Sequence, residues 1–282
     1  MEPSPTFTSP QDVATRLRAV DYLPDDRIAG TVHLAARMTK PVLVEGPAGT
    51  GKTELAKALA TATGSELIRL QCYEGLDEAR ALYEWNYKKQ LLRIQADDEA
   101  WDDIFSEEFL LERPLLTAIR SSEPAVLLID ETDKADVEVE GLLLEILSDF
   151  QITIPELGTI TANKKPYVVL TSNATRELSE ALKRRCLYLH LDYPTPERER
   201  DIVLAQVPGL PAAIAEQLAR TVATLRTLEL KKAPSIAETV DWAHTLLALG
   251  REGLDERTVG ETLGVVLKHH SDQARARKEL GL

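Results

Sequence analysis

A glycine-rich stretch near the amino end of the chain has residue types that suit phosphate binding. Glycines let successive backbone N–H groups curl around phosphate oxygens without a clash from a Cβ atom. The residues that follow are strong helix formers, so the positive end of a helix dipole would face the same anion. The stretch fits the pattern G-x4-G-K-[ST] and consists of Gly46, Pro47, Ala48, Gly49, Thr50, Gly51, Lys52 and Thr53, followed by Glu54.

In this pattern the lysine and the hydroxyl residue have separate tasks. Lys52 would reach the β- and γ-phosphates of a nucleoside triphosphate, and the Thr53 hydroxyl would ligate Mg²⁺. Residues 46–54 are therefore predicted to bind ATP and Mg²⁺.

Two adjacent acids supply the second half of such a site. Ala125–Ile129 is an apolar run typical of a strand covered on both faces, and Asp130 and Glu131 follow it directly. A carboxylate at the end of a buried strand would hold the magnesium shell, which we assign to Asp130. Glu131 would polarise an attacking water as general base. Water needs such a base whereas a small acceptor needs a pocket, so a small-molecule kinase is the least favoured alternative.

Three further polar residues follow a predicted strand or a short helix. Asn173 comes after the run 168–171 and would orient the attacking water. Arg184 and Arg185 precede the last predicted strand, where an arginine would neutralise charge on the γ-phosphate. Taken alone, Asn173 is better interpreted as a turn amide, and the alternative for Arg184 and Arg185 is a solvated basic surface.

The elements that must position these residues alternate between strands and helices, which predicts a parallel sheet in an α/β domain. Polar and apolar residues also alternate around Pro155–Gly158, which predicts a β-hairpin over 151–161. Strands are expected at residues 41–45, 67–70, 125–129, 168–171 and 187–191, and helices at 11–19, 26–38 and after residue 53.

Beyond Pro194–Pro196 the pattern is helical. Ser235 and Glu238 have the spacing of a capping box that opens a helix ending near Gly250. We predict two domains: an α/β nucleotide-binding domain over residues 1–196 and an all-helical domain over 197–282.

Composition narrows the function classes. The 282 residues carry a formal net charge of −13, which disfavours broad electrostatic binding to nucleic acid. No apolar run has the ~18 residues that a membrane span needs, and no signal peptide is evident, so a cytoplasmic protein is expected. The two cysteines, Cys72 and Cys186, are expected to be buried and reduced.

The order of these motifs resembles that of the AAA+ ATPases over nearly the whole chain. Gly46–Thr53, Asp130–Glu131, the sensor-one position Asn173, a finger arginine and then a helical lid follow each other as in that superfamily. The resemblance implies a P-loop NTPase fold, a three-layer αβα sandwich with a parallel sheet and a small helical lid. Within the superfamily the stretches 70–76 and 83–87 are similar to the MoxR family, especially its CoxD-like branch.

This resemblance implies partners as well as a fold. Such proteins assemble into rings, usually hexamers, in which the finger arginine enters the neighbouring site; Arg185 matches this position better than Arg184. MoxR-like ATPases act as chaperones with a von Willebrand factor A-domain protein and mature or activate metal-containing client enzymes. The CoxD-like branch is tied to sulfuration of the molybdenum–copper centre of carbon monoxide dehydrogenase.

One departure from the superfamily keeps alternatives open. The stretch 233–238 lacks the sensor-two arginine, with Ala237 near its place and Lys231 or Lys232 as possible substitutes. A nucleotide-dependent scaffold with little hydrolysis is therefore one alternative. A DNA-acting AAA+ motor subunit is another, although the acidic charge argues against it.

Overall fold

The computed structural model of the chain describes residues 7–96, 104–251 and 253–281. These residues fall into two units. The first contains residues 7–20, 24–45 and the described part of 52–190; the second contains residues 21–23, 46–51 and the described part of 191–281.

A five-stranded parallel sheet forms the centre of the first unit. All six residues of two of its strands are buried, as expected for strands covered on both faces. Because parallel strands run the same way, the residues that follow them meet at one edge of the sheet. In spatial order the strands are β2 (Glu66–Gln71), β5 (Ala125–Asp130), β8 (Tyr167–Ser172), β1 (Val42–Glu45) and β9 (Leu187–His190).

Four helices of this unit begin at a residue whose side chain caps the helix. Asp25 accepts a hydrogen bond from the Ile28 N–H group, and the same helix ends at Thr39 in the left-handed conformation. The helices are α1 (Pro10–Arg18), α2 (Asp26–Met38), α3 (Lys52–Thr63), α4 (Glu78–Ala81), α5 (Tyr87–Ala96), α6 (Pro114–Arg120), α7 (Val137–Asp149) and α8 (Glu180–Lys183).

Two small antiparallel sheets complete the first unit. The predicted hairpin is confirmed as β6 (Gln151–Ile154) paired with β7 (Gly158–Thr161). The pairing of β3 (Tyr83–Trp85) with β4 (Leu110–Glu112) was not expected from the sequence. Each of these strands has only three residues, too few for an alternating pattern to be visible.

The second unit is helical in its described residues beyond 191. Its apolar cluster centres on Leu218, Trp242 and Leu263, all fully buried. The predicted capping box is confirmed, because Ser235 and Glu238 exchange hydrogen bonds at the start of the third of these helices. The helices are α9 (Pro196–Gln206), α10 (Ala212–Thr227), α11 (Ile236–Ala248), α12 (Glu256–Val266) and α13 (His270–Leu280).

The predicted fold class is confirmed, and each expected strand is present with ends that differ by at most one or two residues. The division into domains at residues 196 and 197 stays a prediction. Cys72 and Cys186 are both free thiols, but only Cys72 is buried and Cys186 is half-buried. Desolvation raises the pKa of each thiol to about 12. None of the helices in the described residues is long and apolar enough to cross a membrane.

A buried ion pair ties three helices of the second unit together. Glu199 on α9 is fully buried and accepts two hydrogen bonds from the Arg226 guanidinium on α10, at 2.5 and 2.8 Å. The Thr239 hydroxyl on α11 donates to the same carboxylate at 2.7 Å. The charge of Glu199 is thus fully compensated inside an apolar cluster.

Replacing Glu199 by alanine should lower the free energy of unfolding by about 3–5 kcal/mol, because it leaves the Arg226 charge buried without its partner. Urea denaturation followed by circular dichroism measures this loss. Glu216→Ala is the matched control: it removes an exposed pair with Arg220 and should cost at most about 0.5 kcal/mol. Equal losses in the two variants would contradict the assigned role of Glu199.

Candidate functional site

The glycine-rich loop connects β1 to α3 through backbone conformations that favour glycine. Gly46, Gly49 and Gly51 have φ angles of 153°, 74° and 87°. A Cβ atom on Gly49 would lie 2.1 Å from the Ser235 Cβ atom, and one on Gly46 would lie 1.8 Å from the Leu191 carbonyl oxygen. Neither position tolerates a side chain without movement of its neighbours. Within the loop, the Thr50 hydroxyl donates to the Pro47 carbonyl at 3.0 Å.

Lys52 and Thr53 form the first turn of α3, as the sequence pattern predicts. Lys52 is 6% exposed, and its burial lowers the pKa of the ammonium group, while the negative charges of Asp133, Asp130 and Glu131 act in the opposite direction. A buried ammonium group with carboxylates around it is suited to bind a phosphate group that is accompanied by a metal cation. Glu54, by contrast, is exposed and pairs with Lys57 at 3.1 Å.

The Asp130 carboxylate at the end of β5 is the meeting point of the site. It is 2% exposed. Its Oδ1 accepts hydrogen bonds from the Thr53 hydroxyl at 2.9 Å and the Thr171 hydroxyl at 2.6 Å. Its Oδ2 accepts from the Arg69 guanidinium at 2.5 Å. Groups from α3, β8 and β2 thus converge on one carboxylate.

Glu131, the residue after Asp130, has a left-handed backbone conformation with φ of 56°. A non-glycine residue in this region costs of order 1 kcal/mol or more, and such strain concentrates at functional sites. The Glu131 N–H group donates to the Thr171 hydroxyl at 2.9 Å. The Glu131 carboxylate accepts from the Lys134 ammonium at 2.6 Å and from the Gln71 amide at 3.2 Å.

The buried Asp133 carboxylate fixes the segment that carries Asn173. It accepts hydrogen bonds from the Asn173 N–H group at 3.1 Å and from the N–H and hydroxyl groups of Thr175 at 3.0 and 2.5 Å. Burial by itself raises the pKa of Asp133, but the hydrogen bonds from Thr175 and Asn173 outweigh it and hold the pKa below its usual value. Asn173 therefore sits beside the turn that carries both predicted acids.

The two candidate finger arginines lie after α8. Arg184 is exposed. Arg185 is half-buried, donates to the Ala181 carbonyl at 2.9 Å and hydrogen-bonds the Ser148 hydroxyl on α7. Neither arginine contacts Asp130, Glu131 or Asn173 in the contacts of the described residues.

The donor set fits magnesium. Mg²⁺ is usually bound by one or two protein oxygen ligands together with waters and substrate phosphates. The Thr53 hydroxyl oxygen and Asp130 Oδ1 are such hard donors, 2.9 Å apart. Among the described residues no group of three or more His, Cys, Asp or Glu side chains forms a metal cage. A metal here would therefore be held jointly with the phosphates.

The structure brings together Lys52, Thr53, Asp130, Glu131 and Asn173 through direct contacts or shared partners. Sequence reasoning missed Arg69, Gln71 and Thr171, which contact the acid pair. Arg69 and Gln71 are the polar residues that alternate with apolar ones in β2, and this alternation was the available signal. Their importance depends on β2 lying next to β5, which a linear sequence does not state.

Comparison with known proteins identifies the family. The AAA domain of the dynein-related subfamily matches residues 41–186, slightly more than half of the chain. The chain therefore belongs to the AAA domain family, which confirms the AAA+ interpretation. Membership implies nucleotide hydrolysis in general terms and a tendency to oligomerise.

Individual relatives agree with this assignment. Protein NorQ of Paracoccus denitrificans is 26% identical over 215 residues, covering 74% of this chain and 73% of NorQ. The uncharacterized protein SH1500 of Staphylococcus haemolyticus is 25% identical over 251 residues, covering 85% of this chain and 90% of SH1500. A RuvB mutant of Thermotoga maritima matches 100% of this chain and 73% of its own with a TM-score of 0.50 at 18% identity, which shows the fold alone.

Replacing Asp133 by asparagine should lower the free energy of unfolding at pH 7 by about 2 kcal/mol, since a carboxylate that accepts three hydrogen bonds is lost. Because the folded pKa of Asp133 is lowered, its stabilisation is present above about pH 5 and is lost as the pH falls through the folded pKa. Denaturation across pH 7 to 3 should therefore show the gap between the wild type and the variant narrowing below about pH 4.

Thr175→Val is the matched control for this experiment, because it removes one donor and leaves both backbone donors in place. It should be destabilised by about 1 kcal/mol. A gap for Asp133→Asn that stays constant down to pH 3 would show that the carboxylate charge does not hold the segment.

Proposed function

We propose that this protein is a magnesium-dependent ATPase whose cycle of ATP binding and hydrolysis remodels a partner protein. The observation that carries the proposal is the Thr53–Asp130 pair: a hydroxyl at the start of α3 and a buried carboxylate at the end of β5, 2.9 Å apart. Both oxygens suit Mg²⁺, and they belong to the two motifs that predict a nucleotide site.

In this proposal the residues divide the work of binding. The backbone N–H groups of residues 46–51 and the start of α3 cradle the phosphates, with Glu54 at the rim of that turn. Lys52 supplies a buried positive charge for the β- and γ-phosphates. Thr53 and Asp130 hold Mg²⁺, which neutralises phosphate charge when bound.

Glu131 is the proposed general base and Asn173 the residue that orients the attacking water. The proposal is supported by the place of Glu131 directly after Asp130, in a strained left-handed turn of the kind that concentrates at functional sites. Hydrogen bonds from Lys134 and Gln71 hold that carboxylate. Glu131 would have to leave at least one of these donors in order to accept a proton from water.

A homo-oligomeric ring, hexameric by resemblance, would complete the site. Arg185 would then reach the γ-phosphate bound by a neighbouring subunit, with Arg184 as the alternative. Support comes from where these residues lie: near the start of β9 and outside the cluster around Asp130 in their own subunit.

We further infer that the protein acts in the cytoplasm as a MoxR-type chaperone with a von Willebrand factor A-domain partner, and that its client is a metal-containing enzyme. Support comes from the likeness to NorQ and from the resemblance to the CoxD-like branch. The helical domain over 197–282 would be the lid. It carries Ala237 at the sensor-two place, and Lys232 pairs there with Glu238 at 3.1 Å.

Replacing Glu131 by glutamine should reduce steady-state ATP turnover by about 10²-fold or more while nucleotide binding is kept, because the variant loses a base and no phosphate ligand. A coupled phosphate-release assay measures turnover, and calorimetry measures binding. Lys52→Ala is the contrasting variant, in which binding itself should weaken by about tenfold or more. Unchanged turnover in Glu131→Gln would remove Glu131 from the mechanism.

Mixing two inactive variants tests the arginine finger. Arg185→Ala lacks the finger and Glu131→Gln lacks the base, so each alone should lose most turnover, about 10³-fold for the finger. In randomly mixed rings about a quarter of the interfaces join an intact base to an intact arginine, so about a quarter of wild-type turnover should return.

Arg184→Ala is the control for this mixing experiment and should keep its turnover without mixing. If the Arg184 variant is inactive and the Arg185 variant active, the finger is Arg184. If mixed rings form but recover no turnover, the Arg185 side chain of one subunit does not complete the site of its neighbour.

A further inference from the structure

Arg69 is the cation that pairs with Asp130. Its Nη2 atom lies 2.5 Å from Asp130 Oδ2, on the oxygen that Thr53 and Thr171 do not contact. Hydroxyl groups can donate hydrogen bonds to a carboxylate but cannot neutralise its charge. Arg69 is the cation in direct contact with the Asp130 carboxylate, and the charge of the buried Lys52 acts on the same group.

The two partners differ sharply in burial. The Asp130 side chain is 3% exposed, whereas the Arg69 side chain is 48% exposed. A buried carboxylate is costly without a cation beside it, but a half-exposed guanidinium loses little when it returns to water. The cost of separating the pair would therefore fall on the carboxylate and not on the guanidinium.

The strand register explains how Arg69 reaches this position. Gln71 at the end of β2 pairs with Asp130 at the end of β5, and Arg69 lies two residues earlier. Residues two apart on a strand share a face, so the long Arg69 side chain runs along β2 toward the functional edge. There its Nη2 atom also donates to the Gln71 amide oxygen at 2.5 Å.

We propose that Arg69 is a counter-cation of Asp130 and that Mg²⁺ competes with it. The inference rests on the proposed function, in which Asp130 holds the metal. Arg69 would then have opposite effects on two forms of the nucleotide. Its charge would favour ATP without magnesium, which carries more negative charge, and it would oppose the entry of a second cation beside Asp130.

The test uses the full-length chain and a fluorescent ATP analogue. Its dissociation constant is measured once with EDTA and once with saturating Mg²⁺. The value with EDTA divided by the value with Mg²⁺ reports how strongly the metal promotes binding. Replacing Arg69 by glutamine should raise this ratio by about tenfold, because the change removes one positive charge near the metal. A purely structural role would weaken binding equally in both conditions and leave the ratio unchanged.

Two controls isolate the position of the charge. Arg113→Gln removes an equal charge from a pair with Glu84, outside the Asp130 cluster, and should leave the ratio at the wild-type value. Arg69→Met is a second neutral variant that keeps most of the aliphatic stem, and it should raise the ratio as Arg69→Gln does.

Every outcome bears on the proposal. An unchanged or lower ratio in a folded neutral variant overturns it, as does a failure of both neutral variants to fold, because Arg69 would then be indispensable to the structure. If the wild type binds the analogue in neither condition, the proposed ATPase function fails instead, and the two failures are thereby distinguished.

Discussion

The buried carboxylate of Asp130 is the group on which the functional edge of the sheet depends. Moving a charged carboxylate out of water costs several kcal/mol, and the cost is offset only when its oxygens are well supplied with donors and a cation. Here the donors come from α3, β8 and β2. The hydrogen bonds that stabilise the Asp130 charge therefore hold α3, β8 and β2 next to the end of β5.

The turn after β5 separates three acids that are close in sequence. Asp130 ends the strand, Glu131 adopts a left-handed conformation, and a short 3-10 turn over Thr132–Lys134 brings Asp133 to the segment after β8. Each carboxylate meets different donors, so three negative charges coexist within four residues. In the proposed function, this separation would let Asp130 hold a metal and Glu131 act as a base, while Asp133 anchors the segment after β8.

The glycine-rich loop makes contacts that its sequence pattern does not predict. Its pattern belongs to the α/β domain expected over residues 1–196, but by its contacts residues 46–51 group with the second unit. The Ile236 N–H group at the start of α11 donates to the Gly49 carbonyl at 3.0 Å, and Ser235 fills the space that a side chain on Gly49 would need. Glycine at position 49 is therefore required by packing as well as by backbone conformation.

The sequence by itself determined the residue types of the site, the parallel α/β class, the hairpin and the helical character beyond residue 196. These features follow from local spacing and from apolar runs, which are written in the order of residues. It did not determine the roles of Arg69, Gln71 and Thr171 or the short β3–β4 pair. Those depend on the strand order, in which β2 and β8 lie on either side of β5, and on pairings between segments far apart in the chain. Only the folded chain decides which distant side chains neutralise a buried charge, because that charge selects its partners by distance in space.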